Sequence, residues 1–295
     1  MLERLLTERP NPASERIDQV SSEELLRIIN AEDRRAPEAV AREIPRLAEA
    51  LDAVWSRYRA GGRLFYIGAG TSGRLGALDA AEIPPTFGEK PERVVAIIAG
   101  GPAALTRAVE GAEDSPEQGA RDLADQDLKP ADAVVGLAAS GRTPYVLGAL
   151  DYARSRGALT IGVTTNPEGE IIRRCDLAIA PDVGPEIIAG STRMKSGTAQ
   201  KLVLNMLSTG LMIKMGYVLG NRMIHVQPTN EKLRHRARRL VAEIAGVDDE
   251  TAAAALTACG GVARAILAAR FSLSPAEAAA RLERHEGVLR RALQE

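Results

Sequence analysis

Short apolar runs alternate with amphipathic stretches through the middle of the chain. Leu64–Ile67, Val94–Ile98, Ala133–Ala138, Thr160–Val163 and Leu177–Ala180 are too short for helices and almost wholly apolar. Between them, residues 74–81, 102–109, 144–156 and 168–174 carry helical spacing. Strands apolar on both sides, separated by helices, predict an α/β fold with a mostly parallel sheet covered on both faces. Upstream, 19–33 and 36–58 also have helical periodicity, with Ser21-Ser22-Glu23-Glu24 as a start signal and Gly61-Gly62 as a stop. Downstream, a long helix is expected from Ser191 to about Met215. An irregular stretch over 221–228 around Pro228 follows, and Thr229-Asn230-Glu231 opens another helix. From about 247, Asp248-Asp249-Glu250-Thr251, the break at Gly260-Gly261 and the start at Ser274-Pro275 predict three short helices and no strand. The expected organisation is an N-terminal helical segment (1–58) packed on a main domain (59–240), then a small helical domain (241–295).

Size and charge narrow the classes. A chain of 295 residues can bury a substantial core. Its 38 basic and 39 acidic residues nearly cancel, which argues against a nucleic-acid partner. The local run Arg234-His235-Arg236-Ala237-Arg238-Arg239 has acids nearby and no interleaved aromatics, and reads as a solvated helix face. Cys175 and Cys259 are far apart and lack metal-ligand spacing, so a reducing compartment is expected. The N-terminus carries acids where a signal peptide would be apolar. The greasy stretch from Leu202 to Val218 is interrupted by Asn205 and Lys214, which favours a packed or subunit-interface helix over a membrane span. A cytoplasmic protein with no membrane partner is expected.

Chemistry concentrates where strands are expected to end. Gly68-Ala69-Gly70-Thr71-Ser72-Gly73-Arg74 follows the first strand and precedes a helix, gathering backbone N–H groups and hydroxyls at one point. Such a turn cradles an anion, most naturally a phosphate. It matches GxGxxG, but no acidic residue ends a second strand about 20 residues on, as a dinucleotide site requires. Ser140-Gly141-Arg142-Thr143-Pro144 repeats the arrangement after Ala133–Ala138, although Ser140 and Thr143 could be simple helix caps. Gly190-Ser191-Thr192-Arg193-Met194-Lys195 is a third hydroxyl-rich helix start. There Lys195 could be an anion partner or a surface charge. The phosphate-binding candidates are therefore Gly70, Thr71, Ser72, Ser140, Gly141, Thr143, Ser191, Thr192 and Lys195.

Two carboxylates are candidate proton carriers, although on composition and spacing alone either could be an ordinary solvent-facing charge. Glu82 precedes Ile83-Pro84-Pro85, where the prolines are expected to end the helix and turn the chain away. Glu113 lies in the Gly-flanked loop Glu110-Gly111-Ala112-Glu113-Asp114-Ser115-Pro116. His225, His235 and His285 form no metal-ligating pattern, so no metal is expected, and no nucleophile elbow is present.

Taken together, Gly68–Arg74, the block from Leu78 to Gly88, Val109–Asp114, Ala138–Tyr145, Gly190–Gly210 and Thr229–Leu233 resemble the N-acetylmuramic acid 6-phosphate etherase family along essentially the whole chain. The resemblance implies a sugar isomerase (SIS) fold and a small helical C-terminal domain. It implies a homodimer with active sites near the subunit interface, and a phosphorylated amino-sugar substrate. The implied reaction cleaves the ether joining D-lactate to C3, giving N-acetylglucosamine 6-phosphate and D-lactate during cell-wall recycling. Glu82 then corresponds to the general acid and Glu113 to the base. More distant relatives include a sugar-phosphate-binding regulator of glucokinase that keeps the pocket without the reaction. A non-catalytic sugar-phosphate regulator and an aldose–ketose isomerase of the same fold are the alternatives.

Overall fold

The computed structural model describes residues 6–225 and 231–295. The later part of the irregular stretch expected around Pro228, and the helix opening at Thr229-Asn230, lie outside the described residues. The chain divides into two units: Met1–Ala80 with Glu92–Ser208, and Ala81–Pro91 with Thr209–Glu295.

The first unit is built on a five-stranded, all-parallel sheet. Its strands are β1 (Leu64–Gly68), β2 (Val94–Ile98), β3 (Ala133–Leu137), β4 (Leu159–Val163) and β5 (Leu177–Ile179), in the order β2-β1-β3-β4-β5. The α/β, mostly parallel architecture expected from the apolar runs is present. Central strands β1, β3 and β4 are buried at every position, whereas edge strand β2 is half-buried through its middle. Alternation along β1 sends Phe65 and Ile67 to one face, where they join Val134, Leu123, Tyr145, Val146 and Leu150 in a core cluster. That face is covered by α5 (Pro116–Ala124) and α6 (Pro144–Ser155).

Among the described residues, three α-helices precede the sheet: α1 (Ser22–Asp33), α2 (Arg35–Arg42) and α3 (Ile44–Arg59). Ser21 caps α1 through the Glu24 amide, as its start signal implied. The expected helix over 36–58 is interrupted at Glu43, where Pro45 at the head of α3 forces a new start. Two other expected helices shrink to single 3-10 turns, Gly101–Leu105 and Glu170–Arg173. Both connections are too short and too Gly/Pro-marked to extend further.

One expectation is corrected by α4, which runs Gly70–Phe87 straight through Pro84 and Pro85. Glu82 is therefore inside a helix and exposed, not at a turn. A proline removes the bond its own missing N–H would make and crowds the carbonyl four residues back, a local cost that packing can offset. Here the buried Ile83 and Phe87 and the Gly88 amide bonded to the Pro84 carbonyl carry the last turn past the gap. Further back on α4, buried Asp79 accepts a hydrogen bond from the Tyr66 hydroxyl (3.0 Å) and pairs with Lys201 (3.3 Å) of α7 (Lys195–Lys214). Burial, reinforced by the Asp79 charge, pushes the Tyr66 phenol well above its ordinary range, so it remains the donor.

The second unit holds a two-stranded hairpin, β6 (Val218–Leu219) with β7 (Arg222–Met223), within the region expected to be irregular. Helices α8 (Glu231–Ala245), α9 (Asp249–Cys259), α10 (Val262–Phe271), α11 (Pro275–Arg284) and α12 (Leu289–Ala292) enclose Leu240, Val241, Val262, Ile266, Leu267 and Leu289. Asp248 caps α9, left-handed Gly260 ends it, and Ser274 with Glu277 forms a capping box on α11. In the basic run, Arg238 pairs with Asp249 and Arg239 with Glu243. His225 stacks on Tyr217 with ring centroids 4.3 Å apart, and Tyr217 donates to Glu89. Burial pushes His225 below its ordinary value despite the opposing Glu89 charge, so it is neutral at pH 7. No helix among the described residues is long and apolar enough to cross a membrane.

The first unit also contains a buried ion pair. The Lys195 ammonium, with no exposed side-chain surface, donates to the Glu32 carboxylate and to the Pro185 carbonyl. Glu32 also accepts from Asn11 (2.8 Å) and pairs with Arg35. Burial alone would raise the Glu32 carboxyl, but these partners outweigh it and hold it below the usual range. Two outcomes follow from the asymmetric burial. Glu32→Ala, which strands a buried ammonium, is expected to cost about 3–5 kcal/mol in a denaturant titration. Lys195→Met should cost clearly less, because Glu32 keeps Asn11 and Arg35; equal costs would contradict the assignment. A carboxyl lowered on folding contributes stability above its unfolded pKa of about 4.3 and loses it as pH falls through the lower folded value. Melting temperature plotted against pH should therefore fall less steeply below that pH in Glu32→Gln than in the unaltered chain.

Candidate active site

The sheet order sets β1 and β3 side by side, so the helices that follow them begin at neighbouring points. A cavity of about 600 Å³ opens there, lined by Gly70, Thr71, Ser72, Glu113, Ser140, Arg142, Thr143 and Thr192, among others. It lies at the carboxyl ends of parallel strands, the usual place for a ligand in such a sheet. A slightly larger hollow, about 650 Å³, runs along β2 past Val95, Ile97, Leu105 and Asp122. None of the residues expected to do chemistry lines it, and volume alone does not make it the site.

The first wall comes from the turn between β1 and α4. It can be this tight because Gly68 and Gly73 face each other: a Cβ on Gly73 would sit 2.7 Å from the Gly68 carbonyl oxygen. Gly70, Thr71 and Ser72 thus occupy the first turn of α4, where backbone N–H groups have no intrahelical partner. Ser72 donates to Gln200 Oε1 at 2.8 Å, tying this turn to α7. Arg74 faces elsewhere, holding the carbonyls of Ala104, Leu105 and Arg107.

The second wall is the turn before α6. Thr143 occupies the cap position but makes no side-chain cap bond, so capping does not account for its hydroxyl. The Ser140 hydroxyl oxygen accepts from the Arg142 amide at 3.3 Å, leaving its own hydrogen available to a ligand. The loop carrying Glu113 is fastened to this turn, since the Glu113 carbonyl accepts from the Tyr145 amide at 3.0 Å. Exposed Glu113 also borders a smaller adjoining hollow of about 200 Å³, with Gly70 and Arg74. A carboxylate is thereby held beside two hydroxyl-bearing helix starts.

Not every expected residue is brought here. Lys195 is committed to Glu32 and does not line the cavity; it is neither the anion partner nor the surface charge expected. The start of α7 is not an open cradle either. The buried Glu186 carboxylate accepts from the Lys195 and Ser196 amides at 3.0 and 2.8 Å, filling the place an anion would take. Of that segment Gly190 and Thr192 line the cavity, and Ser191 does not. Gly141 is a buried turn residue behind the wall, its amide bonded to Ala138 and its carbonyl to the Ile171 amide. Glu82 lies outside the lining, twelve residues along α4 from Gly70.

The cavity also includes residues that the sequence did not single out: Thr7, Glu8, Asp114 and Arg142. Arg142 lay inside a recognised motif, where its charge was the available signal. Thr7 and Glu8 carried none, because they reach the cavity through distant contacts. The Thr7 carbonyl accepts from the Gly190 amide at 2.7 Å, and Ser14 donates to the Ile187 carbonyl at 2.6 Å.

Comparison with known proteins bears on this geometry. Residues 46–154 match the model of the glucokinase regulatory protein N-terminal SIS domain, and residues 112–210 match that of the SIS domain. The chain is 57% identical over 268 residues to the N-acetylmuramic acid 6-phosphate etherase of Symbiobacterium thermophilum, covering 90% of this chain and 89% of that protein. It is 53% identical over 293 residues to that of Shigella flexneri, covering 99% and 98%. Among solved structures, phosphoheptose isomerase from Neisseria gonorrhoeae aligns with a TM-score of 0.49 at 16% identity, covering 65% of this chain and 98% of that one. Identity above one half, sustained from end to end, decides the matter: the chain belongs to the N-acetylmuramic acid 6-phosphate etherase family.

Proposed function

We propose that this protein cleaves the D-lactyl ether of N-acetylmuramic acid 6-phosphate, yielding N-acetylglucosamine 6-phosphate and D-lactate, in the cytoplasm. The observation that carries the reading is a carboxylate, Glu113, in the wall of a cavity bounded by two Ser/Thr-bearing helix starts, in a chain more than half identical to named etherases.

The chemistry needs positioning and two proton carriers. The helix starts at Thr71-Ser72 and Thr143, with Ser140 and Arg142, take the six-position phosphate, and this anchoring converts proton transfer into an intramolecular event. In the open-chain sugar the C1 aldehyde acidifies the C2 hydrogen. Glu113 removes that proton, and the resulting enolate electrons expel the lactyl oxygen from C3 as Glu82 protonates it. Water then adds at C3 of the unsaturated aldehyde, giving its proton to the Glu82 carboxylate, while Glu113 returns a proton to C2.

The family resemblance implies a homodimer with sites near the subunit interface, and we assign Glu82 to the site of a second copy. Mixing tests this directly. Glu82→Gln and Glu113→Gln should each lower turnover by about 10²–10⁴-fold. Refolded together at equal amounts, they should recover about a quarter of unaltered activity, because one of the two sites in each mixed twofold dimer is intact. No recovery would mean that each site draws both carboxylates from one chain.

The match to the glucokinase regulatory protein's SIS domain favours one competing reading, a sugar-phosphate regulator without turnover. Incubation with N-acetylmuramic acid 6-phosphate in heavy water separates the two. The etherase releases D-lactate and leaves deuterium at C2 of the product, whereas a regulator binds the sugar phosphate and releases nothing. Lactate release with no deuterium at C2, and no slowing when the substrate itself carries deuterium at C2, would instead refute proton abstraction there.

A further inference from the structure

Glu8 has no part in the scheme above, yet it is a carboxylate lining the same cavity as Glu113. It is placed there by fixed contacts. Thr7 is buried, and its carbonyl accepts from the Gly190 amide. Four residues on, Asn11 donates to the Pro185 carbonyl (2.9 Å) and to Glu32, the partner of buried Lys195. The Glu8 carboxylate itself rests against Gly190, whose φ is +80° and where any Cβ would lie 3.0 Å from Glu8 Oε2. Glycine at 190 therefore serves both the left-handed backbone and the room for this carboxylate.

A third acidic side chain beside Glu113 and Asp114 is at first sight wrong for a polyanionic ligand. Inside one cavity of about 600 Å³ its charge opposes the phosphate and the lactyl carboxylate, and it lowers affinity unless it bonds the ligand directly. The groups such a ligand offers to a carboxylate are neutral donors: its hydroxyls and its amide N–H. We propose that Glu8 is a substrate-binding residue that accepts a hydrogen bond from a neutral donor of the sugar, away from the phosphate. It thereby selects an amino-sugar phosphate over phosphate alone. This rests on the sugar-phosphate reading above and adds a specificity residue to it.

Calorimetric titration with two probes tests it: N-acetylglucosamine 6-phosphate and inorganic phosphate, at one ionic strength. Loss of a hydrogen bond to a charged group weakens binding about ten- to hundredfold. Glu8→Ala should thus bind the sugar phosphate at least about tenfold more weakly, while inorganic phosphate binds equally well or more tightly once the charge is gone. Glu8→Gln, which keeps an acceptor, should fall between, and serves equally well should the alanine variant fail to fold. Unchanged affinity for both probes, or tightening of both, would make Glu8 a bystander charge and overturn the proposal. Failure of the unaltered chain to bind N-acetylglucosamine 6-phosphate would overturn the sugar-phosphate reading, and this proposal with it. Loss confined to the Glu8 variants leaves that reading standing.

Discussion

The site depends on the adjacency of β1 and β3 in a parallel sheet. Parallel strands end on the same side, so two neighbouring strands followed by helices deliver two helix starts to one place. The start of α4 carries backbone N–H groups that its own helix cannot use, whereas at α6 the Tyr145 amide is already taken by the Glu113 carbonyl and the start offers its side chains instead. The hydroxyls of Thr71, Ser140 and Thr143 add donors at the same spot, while the Ser72 hydroxyl is spent on Gln200. The contrast with α7 is instructive. Its start has equally suitable residues, but the protein's own Glu186 occupies the amides, and that end became a structural joint.

Around this constraint, buried polar groups act as fasteners rather than as chemistry. Tyr66, Asp79 and Lys201 join β1, α4 and α7, and Ser72 with Gln200 joins the latter two helices again nearer the cavity. Lys195, Glu32 and Asn11 tie the N-terminal segment to the residues just before α7. These contacts hold Thr7, Gly190 and Thr192 at the cavity rim. Their geometry is unforgiving because an unpaired buried charge costs far more than a surface one.

Much of the architecture was legible in the sequence, for a physical reason. Strands buried on both faces must be apolar throughout, and Leu64–Ile67 or Ala133–Ala138 cannot be read otherwise. Glycine-marked turns behind them located five expected residues in one cavity, Gly70, Thr71, Ser72, Ser140 and Thr143, and two further glycine-flanked segments added Glu113 and Thr192. What escaped depends on long-range pairing. Local pattern made Lys195 a phosphate ligand or a surface charge, but only the fold brings Glu32, 163 positions away, to its ammonium. Pro84-Pro85 read as a helix end because their local cost is real, yet the packed Ile83 and Phe87 carry α4 one turn beyond. Glu8 was invisible for the same reason as Lys195: its neighbour Gly190 is remote in sequence.

A crystal structure of the protein with N-acetylglucosamine 6-phosphate tests the central claim most directly. The account requires the phosphate oxygens within hydrogen-bonding reach of the first turn of α4 and the turn before α6, accepting from the Thr71, Ser140 or Thr143 hydroxyls, with the Glu113 carboxylate against the C2 hydrogen. A phosphate seated elsewhere, along β2 or at the start of α7, or a C2 facing away from Glu113, would contradict it.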